Sequence, residues 1–446
     1  MSSTRPLRFL RLAPLLLAAL PACRSADPRG NPEAVGFDAG KLRAIRGDLE
    51  EAVRKKKVAG AVALVARHGK IAYFDAVGMA DAEAGISMGP GTIFRICSMT
   101  KPVTSVATMM LVDEGKLALD DPVSMYIPEF ADARVAVPVD VPGGKRWDLV
   151  PLERPLTVGH LLTHTSGLTY GFSNREPFAR LYQEAGVSDG LVETPFTNEE
   201  NARRLGRMPL LFQPGTGWEY GLSTDVLGRV VEVASGIPLD RFFEERIFRP
   251  LGMSDTGFRV PEAKRVRLAA AYRPTADGGL ERIPDKPTRE GFMAYSVTYP
   301  VAEGHLLRSG GAGLVSTASD YARLLQMLLG GGEVDGVRLL KKETVAEMTV
   351  PRTGKIEPAI KGHGDAFGLG FGVVTEKAKD AGLGSPGTFS WGGFYFTYFW
   401  VDPRQDLLAV LMCQLQPWGE QTLWADVRKR VYEAIRRPGE AAAPAP

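Results

Sequence analysis

From Pro102 to Val112 the chain runs without a charged side chain, and only Thr and Ser interrupt its apolar residues. This pattern predicts a helix from about Ser98 to Glu114 that is buried nearly all round and needs other elements on every side. Gly115 supplies a left-handed C-terminal cap, and Pro102 falls in the first turn, where a missing N–H costs least. A chain of 446 residues is long enough to bury a large core and to hold two or three compact units.

Ser98 and Lys101, three residues apart at the start of this helix, project from one face. A serine hydroxyl needs a base within hydrogen-bond reach to act as a nucleophile. Burial disfavours a charged lysine, and the positive end of the helix dipole acts in the same direction, so a neutral Lys101 amine is expected to take the serine proton. On spacing alone, a capping serine beside a snorkelling lysine is the alternative.

Strands are predicted at both ends of the chain. Residues 59–67 and 71–78 form two, joined by a tight turn at His68-Gly69. Residues 388–391, 394–401 and 407–413 form three more, with Asp402-Pro403 in a turn, before a helix over 422–437. Tight turns imply antiparallel pairing, hence one sheet built from the two termini. Between them, helices are expected at 158–162, 198–207, 224–234 and 239–247, with a hairpin around Pro142-Gly143-Gly144. The sheet unit is expected to comprise 35–99 and 300–437 and the mainly helical one 100–299, with a disordered tail at 438–446.

Two further segments bear on chemistry: Pro214-Gly-Thr-Gly-Trp-Glu-Tyr220-Gly-Leu-Ser and Ser390-Trp391-Gly392-Gly393-Phe394. With Ser98-x-x-Lys101 they resemble, in order, the three motifs of the serine β-lactamase and penicillin-binding-protein superfamily. The Trp391-Gly392-Gly393 form is most similar to family VIII carboxylesterases, which are class C β-lactamase-like. The phrases Leu161-Leu-Thr-His164-Thr-Ser-Gly-Leu and Ser309-Gly-Gly-Ala-Gly-Leu are typical of the superfamily, and the resemblance covers about 35–435. It implies an α+β fold, with an antiparallel sheet flanked by helices beside a largely helical domain and the active site in the cleft between them. It also implies an acyl-enzyme on Ser98, with Lys101 as base and Tyr220 sharing or relaying the proton. The backbone N–H groups of Ser98 and Phe394 would form the oxyanion hole beside Trp391, Gly392 and Gly393.

Two departures point to neutral acyl substrates. Trp391 stands where β-lactamases and peptidases carry a cation able to pair with a substrate carboxylate. Leu222 stands where they carry an Asn amide. The expected function is therefore a carboxylesterase for small esters. The alternatives are a class C-like β-lactamase, a D-amino-acid peptidase or acyltransferase, and a catalytically silent envelope binding protein. Gly186-Val-Ser188-Asp-Gly190 also matches the G-x-S-x-G esterase pattern, but it follows a helical segment rather than a strand, so Ser188 is expected to be a surface serine.

Arg5, Arg8 and Arg11 precede an apolar run, Leu12 to Ala22, too short to span a bilayer. It reads as a signal peptide over 1–22. Leu20-Pro21-Ala22-Cys23 resembles a lipobox, so Cys23 is either lipidated, giving membrane attachment, or removed with an ordinary leader. In both cases the protein is expected to be exported, periplasmic or anchored. Cys97 and Cys413 lie in apolar segments and are expected to be buried free thiols. The net charge of +2 gives no argument for nucleic acid. His68, His160, His164, His305 and His363 show no metal-ligand spacing, and His164 reads as a buried hydrogen-bonding residue. No metal or cofactor is implied.

Overall fold

Residues Gly60 to Ala66 are all buried, because the strand they form is covered on both faces. The computed structural model describes residues 31–173, 175–358, 362–378, 382, 384–419 and 421–436. The leader with Cys23 and the tail 438–446 lie outside the described residues.

Eight strands form one sheet: β1 (Gly60–Arg67), β2 (Lys70–Asp81), β3 (Ile86–Ser87), β4 (Ala366–Phe367), β5 (Gly372–Val373), β6 (Phe389–Gly393), β7 (Thr397–Asp402) and β8 (Leu407–Met412). Their spatial order is β4-β5-β6-β7-β8-β1-β2-β3, antiparallel throughout. The N- and C-terminal parts of the chain meet where β1 pairs with β8, from Val62 opposite Met412 to Arg67 opposite Leu407. The β1–β2 turn falls at His68-Gly69, both at positive φ (52° and 68°), which suits the twist of a two-residue hairpin loop.

The period-two alternation of β1 decides which layer each side chain joins. Ala61, Ala63 and Val65 face helices α1 (Ala39–Arg54) and, near the C-terminus, Leu423–Ala434; Leu42, Ile45, Leu49, Val427 and Val431 complete that layer. Val62, Leu64 and Ala66 face the opposite way, into the larger core. That core holds α2 (Thr100–Asp113), α3 (Ser223–Ser235) and α4 (Ala318–Leu329).

Helix α2 is buried at every position from Thr100 to Leu111, as its uncharged sequence predicts. Its entry is one 3-10 turn, Cys97–Met99, so Ser98 lies on that turn rather than on regular helix. Gly115 ends it at φ 69°, and the Lys116 N–H closes back on Leu111 O at 2.9 Å. Helices at Val158–Leu162, Asn198–Gly206 and Leu239–Phe243 lie at the predicted places; the last runs on through a π turn to Phe248 and a further turn to Leu251. Arg134–Val141 and Gly144–Pro151 form the predicted hairpin. Small two-stranded ribbons at Tyr272–Arg282 and Thr288–Tyr295 were not anticipated within a region read as mainly helical.

One strand boundary needs correction. The segment predicted as a strand from Phe394 begins at Thr397, and Phe394-Tyr395-Phe396 is the β6–β7 turn. Phe396 sits at φ 65°, its N–H donating to Gly393 O at 3.0 Å. Three consecutive aromatic residues look like strand by propensity, but the turn geometry prevails.

Candidate active site

The first turn before α2 is fixed from below. Cys97 adopts φ 40°, a left-handed conformation that L-residues rarely hold, so Ser98 is presented from a constrained backbone. The Tyr321 hydroxyl donates to Met99 O at 2.8 Å, and Thr100 Oγ1 accepts the Leu314 N–H at 3.1 Å. Thr104 Oγ1 donates to Gly310 O at 2.7 Å. These bonds lash α2 to the 309–314 segment. The approach is close: a Cβ on Gly311 would lie 2.3 Å from Asp225 Oδ2, so only glycine fits there.

That closeness delivers a carbonyl to Lys101. Its Nζ lies 2.9 Å from Gly311 O, 2.8 Å from Tyr170 Oη and 3.3 Å from Ser98 Oγ. Lys101 is only 1% exposed, so all its polar contacts are within the protein. Behind Gly311, the buried Asp225 accepts from Ser309 Oγ at 2.5 Å and from the Gly311 N–H at 3.3 Å. Burial raises the Asp225 pKa, while the positive charge of Lys101 opposes the rise.

Tyr220 reaches Lys101 with its ring, whose centroid is 4.7 Å from Nζ. Among the described residues, the phenol that hydrogen-bonds Lys101 is Tyr170. Sequence reading missed Tyr170. It lies two residues beyond the motif phrase ending at Leu168, within an uncharged run from Thr163 to Gly171 that is buried throughout, and that run was its only signal. Burial pushes its pKa well above the ordinary phenol value, and the neighbouring Tyr220 and the negative charges of Asp225 and Asp189 add to the rise. Tyr170 therefore remains a neutral phenol at physiological pH.

The third segment brings a sheet edge over the serine. A Cβ on Gly393 would lie 2.3 Å from both Ile96 O and Thr397 Oγ1, so glycine lets β6 abut the turn that carries Ser98. Gly392 and Gly393 pair regularly with Tyr398 and Thr397, without a bulge. Trp391 packs its ring against Tyr220 (5.4 Å), His363 (4.7 Å) and Phe367 (5.2 Å). Ser98, Tyr170, Tyr220, Trp391 and Phe394 line one cavity of about 340 Å³. Phe394 and Phe396 face it, whereas Tyr395 points away, its hydroxyl donating to Ser296 O at 3.3 Å.

A family model described as beta-lactamase matches residues 45–432. The chain belongs to the beta-lactamase family. Esterase EstB of Burkholderia gladioli is 36% identical over 399 residues, covering 86% of this chain and 93% of EstB. A lovastatin esterase of Penicillium rubens is 31% identical, covering 77% of this chain and 85% of that one. Among solved structures, EstCE1, a hydrolase with promiscuous acyltransferase activity, superposes with a TM-score of 0.74 at 31% identity, over 88% of this chain and 99% of EstCE1. The protein is thus a serine hydrolase of the β-lactamase fold.

Against the motifs of this beta-lactamase family, position 391 offers an aromatic face where a cation is usual. Leu222 is fully buried in the core and does not line the cavity. Of two sequence expectations about neighbouring residues, one holds only in part and one fails. His164 is buried, but its Nδ1 has no hydrogen-bond partner; the imidazole packs against Tyr220 at 5.1 Å and Phe367 at 5.5 Å. Burial, and then the charge of Lys101, hold its pKa well below the usual value. Ser188 is buried rather than on the surface: its N–H donates to Asn201 Oδ1 at 2.9 Å, and its Oγ lies 3.1 Å from Thr194 Oγ1. The polar partners that bury it were invisible in a loop read only for its polarity. Cys97 and Cys413 are buried free thiols as expected, and Cys97, with a pKa raised by burial to about 12, is no competing nucleophile. Among the described residues no group of His, Cys, Asp and Glu is placed to hold a metal, and no helix is long and apolar enough to cross a membrane.

Proposed function

We propose that the protein is a carboxylesterase acting on small esters that carry no carboxylate, through an acyl-enzyme on Ser98. The contact that carries this reading is Lys101 Nζ, buried and 3.3 Å from the Oγ of Ser98, which lines an aromatic cavity. Two hydrogen-bonding directions of Nζ are taken by Gly311 O and Tyr170 Oη, which leaves the third aimed at the serine. A neutral amine donating to the first two would point its lone pair at the Ser98 hydroxyl.

In the first half-reaction Ser98 Oγ bonds to the ester carbonyl carbon and its proton passes to Lys101. The carbonyl oxygen becomes an oxyanion, held by the N–H groups of Ser98 and Phe394. Collapse breaks the bond to the alkoxy oxygen, which leaves with a proton returned from Lys101 by way of the Tyr220 hydroxyl. In the second half-reaction water attacks the acyl-serine carbonyl, gives its proton to the same base and releases the carboxylic acid with Ser98 restored. An alcohol in place of water gives acyl transfer by the same steps, and EstCE1 combines hydrolase and promiscuous acyltransferase activities on this fold.

The absence of a cation among the described lining residues supports the ester preference over β-lactams. Trp391, on the cavity wall, offers no partner for a substrate carboxylate. Purified protein should hydrolyse p-nitrophenyl butyrate far faster than nitrocefin, and Ser98→Ala should lose both activities. The reverse preference would overturn the ester reading.

A further inference from the structure

Of the eighteen residues lining the cavity at Ser98, ten are Phe, Tyr or Trp, and one carries a carboxyl group: Asp189. The mechanism above does not use it. Asp189 is partly exposed, and its Oδ1 accepts the Gly171 N–H at 2.8 Å. Gly171 joins Tyr170 and Phe172, whose rings stack 4.5 Å apart and line the same cavity. The fit at this point is close, since a Cβ on Gly171 would lie 3.0 Å from Asp189 Oδ2. Oδ2 has no hydrogen bond or ion pair among the described residues.

A carboxylate placed without a counter-charge in an aromatic cavity is unfavourable, so it either takes up a proton or pairs with a cation that enters the cavity. His363, the other titratable nitrogen on the wall, does not supply that charge: burial and then the charge of Arg428 lower its pKa to about 3. Lys101 is committed to Ser98, Tyr170 and Gly311. A ligand with an alkylammonium group meets both demands, since its charge pairs with the carboxylate and its methyl groups lie on ring faces.

The geometry points to Asp189 as a specificity-determining residue that selects esters carrying an alkylammonium group. This inference rests on the reading of the Ser98 cavity as an acyl-transfer site, and it narrows that reading from small esters without a carboxylate to those with one positive charge. Burial raises the Asp189 pKa to about 7; the Gly171 N–H opposes the rise and the negative charge of Asp225 adds to it. A bound cation would hold it ionised.

Choline and its neutral carbon isostere, 3,3-dimethylbutan-1-ol, isolate the charge at nearly constant shape. Their binding to the full chain is read by calorimetry, independently of turnover. Wild type and Ser98→Ala should both bind choline at least about tenfold more tightly than the alcohol. In Asp189→Asn, which keeps an acceptor for the Gly171 N–H, the ratio should fall to about one while the affinity for the alcohol holds. No preference for choline in wild type, or a preference that survives in Asp189→Asn, would overturn the inference. Hydrolysis of p-nitrophenyl butyrate by wild type tests the esterase reading separately. Turnover without cation preference defeats only Asp189's role, and cation preference without turnover defeats only the esterase.

Discussion

Lys101 has two tyrosines within reach, and they make different contacts. Tyr170 takes its hydrogen bond at 2.8 Å, whereas Tyr220 presents a ring face at 4.7 Å. If Tyr220 carries the proton to the leaving group, Tyr220→Phe should lower kcat for p-nitrophenyl butyrate by about a hundredfold or more, the usual weight of a proton-transfer group. Tyr170→Phe removes only a positioning contact and should lower kcat by about tenfold with KM nearly unchanged. The opposite ranking would make Tyr170 the relay. Steady-state kinetics on the two variants decide between them. Both rings sit on the cavity wall, so the phenylalanine forms should keep its shape.

Elements matter here through how closely they approach. Gly393 brings β6 to within van der Waals distance of Ile96 O on the turn that carries Ser98. Gly393→Ala should cost about 1–3 kcal/mol of stability through overpacking. It should also lower turnover further than the fraction unfolded explains, because the strand must move away from the serine. Gly392→Ala, whose nearest contact is Thr397 O at 3.1 Å, should be milder on both counts in thermal melts and initial rates. Leu111→Ala in the core of α2 should cost about 2–5 kcal/mol, as a cavity opened in a helix with no exposed face.

The burial of α2 was legible because eleven uncharged residues admit few other solutions, and the terminal strands because alternation and tight turns mark them. Spacing put Ser98 and Lys101 on one face, and the segments at Tyr220 and Trp391 set that pair apart from a capping serine beside a snorkelling lysine. The Phe394–Phe396 turn could not be read, because strong strand formers occupy it. Tyr170 and the buried state of Ser188 were hidden for a related reason: both depend on partners far along the chain, Lys101 for one and Asn201 for the other. Asp189, embedded in a decoy motif, showed its cavity position only in three dimensions.

At the scale of the whole molecule, burial of neutral histidines predicts acid sensitivity. The unfolded chain protonates His363 near 6.5, whereas the folded protein resists until about 3, and His305 until about 4. As pH falls from 6.5 toward 3, the unfolded state binds more protons, and stability therefore declines. His363→Gln should flatten part of this decline in a series of melts from pH 7 to pH 4; an unchanged slope would show that the imidazole is not held neutral. The sheet that joins the two ends of the chain, the buried helix and the aromatic cavity all converge on one hydroxyl. Labelling with a fluorophosphonate followed by peptide mass mapping tests that convergence most directly. A single adduct on Ser98, absent in Ser98→Ala, is the expected result; an adduct on Ser188, or none on the folded wild-type protein, would contradict it.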